Sequence, residues 1–169
     1  MERALRIGKQ RGFTYMGVLI AVVLIGLALA LAGESWRVSV KREKEKELIF
    51  IGHQFRLAIR NYYFSSPGTV KQYPPSLDDL LKDARYPSTR RYLRRIYQDP
   101  LTGKAEWGLV KAPGNGIMGV YSLAEGVPLK QANFSLEDAA FENMQNYQGW
   151  KFVFAQQTTA PRQGAPANP

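Results

Sequence analysis

Five arginines fall within eleven residues, Arg85, Arg90, Arg91, Arg94 and Arg95, interleaved with Tyr86, Tyr92 and Tyr97. Guanidinium groups neutralise phosphates and aromatic rings stack on bases. Arg90, Arg91, Arg94 and Arg95 are therefore a candidate nucleic-acid site. The same run also reads as a basic, solvated helix that pairs with acidic faces of neighbouring molecules.

Other chemistry is sparse. His53 is the one histidine, and there is no cysteine. That excludes a disulfide framework, a Cys-ligated zinc centre and a thiol nucleophile. It leaves a multi-histidine metal site or a His-dependent triad little to draw on. His53 itself is expected at a surface or boundary position. Glu137, Asp138 and Glu142 read as one capped helix, with Ser135 as cap, Asp138 closing the box and Phe134 stapled to Ala139. Helical acids one residue apart do not converge as oxygens around a hard cation do. No P-loop, GxSxG, paired-histidine or dinucleotide motif is present. Asp78, Asp79 and Asp99 have cap or turn roles. The chain is expected to have no catalytic residue, no enzymatic activity, no metal and no cofactor.

The elements that carry these residues come from a chain of 169 residues, about one domain's worth. With 45% hydrophobic and 22% charged residues it is expected to fold, and its formal charge is +9. Residues 1–12 form a short basic leader with Arg3, Arg6, Lys9 and Arg11 against Glu2. Residues 13–33 follow without a charge. As a helix they would reach roughly 31 Å, enough to cross a bilayer core. The leader predicts a cytoplasmic N-terminus and an exported C-terminal part. The expected location is the bacterial inner membrane, single pass, with a periplasmic globular domain. Two alternatives stand beside this: a secretory signal cut after Ala32, and an uncut membrane anchor without a filament role.

Arg11-Gly12-Phe13-Thr14 stands immediately before the apolar run. Here the chain resembles type IV prepilins and the pseudopilins of type II secretion systems. The resemblance implies cleavage after Gly12 by a prepilin peptidase and N-methylation of the new terminus, Phe13. It implies an assembly surface that includes Phe13, Gly17, Val18 and Leu24, the hydrophobic segment staying on the mature protein. It departs at Gly17, where the family usually carries a Glu thought to pair with a neighbour's terminal amine. That departure fits a minor, initiating or tip-located subunit better than a major one. Small residues such as Gly17 and Gly26 also permit close helix packing.

Residues 34–66 continue the helix. Lys41 to Glu47 (KREKEKE) reads as a solvated face. Leu48, Ile51, Phe55, Ala58, Ile59 and Tyr62 then recur at intervals of three and four, an apolar stripe for packing on a domain. Pro67-Gly68 ends the helix, which would span roughly 78 Å if continuous.

Residues 67–155 are expected to form a globular α+β domain. A short helix is predicted from the Ser76–Asp79 box to about Lys82, and a second, capped by Ser88, over Thr89–Tyr97. Asp99-Pro100-Leu101-Thr102-Gly103 reads as a turn. Ala105–Ala112 and Ile117–Leu123 flank Pro113-Gly114-Asn115-Gly116 as a hairpin, and Trp150–Ala155 is a third strand candidate. The helix stripe is expected to pack on this small antiparallel sheet, a pilin-like fold. Tyr73 to Gly126 also resembles the order of elements in G-type pseudopilins, without the aspartate-rich calcium loop that usually follows there. Residues 156–169, rich in Pro, Gln and Ala, read as a disordered tail.

The function expected from these readings is a pseudopilin-like structural subunit of a periplasmic secretion filament. Its partners would be a prepilin peptidase, other pseudopilin subunits and inner-membrane assembly components. The alternatives are a DNA-binding minor pilin and a membrane-anchored periplasmic domain.

Overall fold

An unbroken α-helical pattern without proline dominates the N-terminal third of the chain, and one helix results. The computed structural model describes residues 11–155, with side chains at 15–29 and 36–155. Residues 1–10 of the basic leader and the tail 156–169 lie outside the described residues, as does the Phe13 side chain. Helix α1 runs Arg11–Phe64. Three short strands follow, β1 (Gly108–Lys111), β2 (Ile117–Tyr121) and β3 (Phe152–Val153). Single 3-10 turns sit at Asp78–Leu80, Leu136–Phe141 and Tyr147–Gly149. The chain divides into two units, Met1–Arg42 and Glu43–Pro169.

Among the described residues, no helix is long and apolar enough to cross a membrane. This corrects the single-pass inner-membrane placement, with its cytoplasmic N-terminus and periplasmic domain.

In the C-terminal unit the predicted stripe is the inner face of α1. Leu48, Ile51, Phe55, Ala58, Ile59 and Tyr62 are all buried. Their partners come from the whole domain, including Leu80, Leu93, Trp107, Ile117, Val120, Trp150 and Phe152. Phe55 meets Trp107 edge-on at 5.0 Å between ring centres, and Phe141 stacks on Trp150. Gly52 lets this layer close. A Cβ there would lie 2.4 Å from the Phe152 ring, so the ring rests on helix backbone.

The sheet is antiparallel in the order β1-β2-β3. The hairpin forms where its turn chemistry predicts, with positive φ at Gly114 and Asn115 and Ala112 N–H donating to the Gly116 carbonyl at 2.7 Å. The register slips between Val110 and Lys111, which skips Met118. The strands are shorter than the apolar runs that predict them, and β3 keeps two residues of its expected six.

The predicted second helix over Thr89–Tyr97 does not form. Tertiary hydrogen bonds take its backbone instead. The amides of Tyr92 and Leu93 both donate to the Leu80 carbonyl, and the Arg90 carbonyl accepts from Asp83. The first is one 3-10 turn capped at Leu77; Asp79 accepts from the Ser76 amide, one half of a box, but the Ser76 hydroxyl also donates to Asp79. Phe134 packs on Phe141 and Trp150, at 5.7 and 5.4 Å between ring centres.

Candidate functional site

The N-terminal unit presents an uncovered apolar surface. Val18 is 60% exposed and Leu24 59%, and Tyr15, Met16, Val22, Val23, Ile25, Leu27 and Leu29 are exposed to similar degrees. These positions fall on every side of the helix, because polar residues do not interrupt them. A Cβ on Gly17 or Gly26 would meet nothing within 4 Å. Of the predicted assembly residues, Gly17, Val18 and Leu24 thus lie on a surface that no described residue of the unit covers. Gly12 lies within the backbone of α1. A large exposed apolar surface is unfavourable in water and marks a site of association.

In the C-terminal unit, α1 carries a second apolar line that the sequence reading missed. Phe50, Leu57 and Phe64 are exposed at intervals of seven, on the side away from the buried stripe. Seven-residue spacing is the signal that would have found it, since it keeps side chains on one seam between helices.

The arginine-rich segment caps the end of α1. Arg85 Nε and Nη2 donate to the two carboxylate oxygens of the fully buried Asp83, at 2.8 and 2.7 Å. Arg85 also donates to the Ser66 hydroxyl and to the Tyr62 carbonyl, its guanidinium 3.6 Å from the Tyr62 ring centre. Tyr86 donates its hydroxyl to the Ser65 carbonyl, and Lys71 reaches the carbonyls of Phe64 and Ser66. Helix C-termini leave carbonyls without intrahelical partners, and cations suit them. Hydrogen bonds from Arg85 hold the Asp83 carboxyl below its ordinary range, and Asp83 in turn raises the Arg85 guanidinium.

The predicted nucleic-acid residues do not share a helix face, because there is no helix. Arg90 lies over the Tyr86 ring at 3.9 Å and Arg95 over Tyr97 at 5.4 Å. Arg91 and Arg94 point into solvent. One face each of Tyr86 and Tyr97 is in contact with the chain's own arginines, and the Tyr92 ring meets Tyr62 edge-on.

Two polar clusters join α1 to the far end of the domain. His53 Nε2 meets Asp138 Oδ2 at 2.6 Å, and Arg56 donates to Asp138 Oδ1 at 2.7 Å and to Glu137 at 3.2 Å. Ser135 donates to the same Asp138 oxygen that His53 addresses. The hydroxyl therefore bonds to the carboxylate and not to the imidazole, so no relay to a nucleophile exists here. The second cluster overturns the solvated reading of the KREKEKE run at one position. Glu45 is buried, and its carboxylate accepts the Leu129 and Lys130 amides and the Tyr147 hydroxyl at 2.6, 3.0 and 2.7 Å. The stripe periodicity, extended back three residues from Leu48, points Glu45 inward.

Burial raises the pKa of Asp138, but hydrogen bonds from Arg56, His53 and Ser135 outweigh it and hold the carboxyl below the usual range. Asp83 is displaced in the same direction. A carboxylate with a depressed folded-state pKa contributes stability above its unfolded value of about 3.9 and loses it as pH falls. The urea midpoint is therefore expected to drop between about pH 4 and pH 2. Asp138→Asn should flatten part of that slope, and an unchanged slope would remove Asp138 from the account.

Comparison of the chain with known protein families, with curated proteins and with solved structures finds no match.

Proposed function

We propose that this chain is a pilin-like structural subunit, without enzymatic activity, that associates through the apolar half of α1 into a filament serving secretion. The observation that carries the reading is the all-round exposure of apolar side chains over residues 15–29. A helix apolar on every side needs covering by other helices or another apolar phase, and identical helices are the partner always at hand. The line of Phe50, Leu57 and Phe64 supports a helix-to-helix mode of contact. In this reading a prepilin peptidase cuts between Gly12 and Phe13, and Phe13 becomes the methylated terminus. In this reading the subunit is a minor or tip member, which the lack of a carboxylate at Gly17 supports. Other subunits of the filament and its assembly machinery are the partners.

Sedimentation of the full chain against a Val18→Arg/Leu24→Arg variant tests the idea. Desolvating two unpaired guanidinium groups in a helix interface costs at least about 3 kcal/mol, so association is expected to weaken about a hundredfold. Equal association of parent and variant would refute the assembly surface. Intact mass of the native protein is expected to correspond to a chain starting at methylated Phe13, and an uncut N-terminus would refute the processing step.

A further inference from the structure

Between the β1 edge of the sheet and the 137–149 segment lies a groove, with Arg56 of α1 at its margin, that the assembly reading does not use. Val120 and Phe152 face the core and are fully buried. The pairings Val110↔Gly119 and Gly119↔Val153 place those residues, with Tyr121, on the opposite side. Gly119 has no side chain between Val110 and Val153. A Cβ there would come within 2.8 Å of Val153, so Val153 and the β3 backbone pack directly against Gly119. The groove that runs from here to the 137–149 segment measures about 1010 Å³ and also takes in Met144. That is at the top of the range of roughly 300–1,000 Å³ typical for small-molecule pockets, and suits a peptide.

The charge around it is one-sided. Lys111 and Lys151 line the groove, are exposed, and have no ion pair among the described residues. Glu137 is the one acid of the lining, and Arg56 holds it at 3.2 Å. The β1 strand, which ends at Lys111, is an edge of the sheet, with main-chain groups open on its outer side. Apolar floor, lysines at the margin and an open strand edge fit one kind of occupant.

We infer that the groove receives an extended acidic segment of a partner protein, its apolar side chains on Val110, Tyr121, Met144 and Val153 and its carboxylates on Lys111 and Lys151. Alternation along an extended chain sends apolar and acidic side chains to opposite sides, which matches a floor flanked by cations. Electrostatic complementarity gives such a site selectivity and salt dependence.

The test is fluorescence anisotropy of the full chain with a fluorescein-labelled peptide, acetyl-Asp-Leu-Glu-Phe-Asp-Leu-Glu-amide. Saturable binding is expected, weakening as salt rises. A Lys111→Glu/Lys151→Glu variant should bind at least about tenfold more weakly, as should the parent toward the Asn/Gln analogue of the peptide. Arg91→Glu/Arg94→Glu, with the same change in net charge elsewhere, should bind as the parent does. Lys111→Gln/Lys151→Gln gives a second reading should the reversed variant fail to fold, with an intermediate loss expected. Absence of saturable binding, equal binding of the Asn/Gln peptide, or equal loss in the Arg91/Arg94 variant would overturn the proposal. Displacement of the peptide by excess unlabelled chain would make a second copy the occupant, and would also overturn it.

Discussion

Glu45→Ala is expected to lower the unfolding free energy of the C-terminal unit by about 3–5 kcal/mol. The buried carboxylate accepts two main-chain amides and the Tyr147 hydroxyl. Alanine removes the carboxylate that the buried Tyr147 hydroxyl and the two part-buried amides share, and each buried group that loses its acceptor costs about 1–3 kcal/mol before water enters. Burial, then the hydrogen bond to Glu45, pushes the Tyr147 phenol well above its ordinary ionisation range, so it remains a donor throughout neutral pH. Glu45→Gln keeps the volume but turns an amide NH2 toward a donor, and should cost about 2 kcal/mol or more. Guanidinium unfolding reads both as a shift in midpoint with an unchanged slope. A midpoint within error of the parent would mean that the 126–131 segment does not depend on this carboxylate.

Arg85→Met should cost a comparable amount, about 3–5 kcal/mol, because Asp83 would stay buried with its charge unpaired. It also takes a donor from the Tyr62 carbonyl at the end of α1. The sign of the pH dependence distinguishes this from loss of packing. In the parent, the depressed Asp83 pKa adds stability above about pH 3.9 that disappears at lower pH. The variant lacks that contribution, so its deficit should shrink as pH falls and Asp83 protonates. Asp83→Asn combined with Arg85→Met should cost less than the sum of the single changes. A deficit constant from pH 7 to pH 3 would assign the loss to packing alone.

These two carboxylates mark where reading the sequence succeeds and where it stops. The stripe from Leu48 to Tyr62 is legible because each member is apolar and the spacing is helical, and every one is buried. The hairpin is legible because Gly114 and Asn115 supply the positive φ its turn demands. Glu45 was hidden because a charged run is ordinarily a solvated face, and the donors it accepts from lie more than eighty residues away. The arginine segment misled for a related reason. Its local pattern favours a helix, but the Leu80 carbonyl and the end of α1 compete for its groups. Val18 and Leu24 are exposed, as an uninterrupted apolar run with no described partner in its unit requires.

The helix stripe also has a consequence in time. During synthesis Tyr62 leaves the ribosome long before Phe152, which lies about ninety residues later and completes the layer over Gly52. At roughly 5–20 residues per second, the inner face of α1 stays bare for about 5–20 s. For that interval the nascent chain offers two greasy surfaces, the stripe that its own domain later covers and the exposed apolar side chains of residues 15–29. A trigger-type holdase that shields the first would keep ribosome-bound chains from pairing through the wrong side.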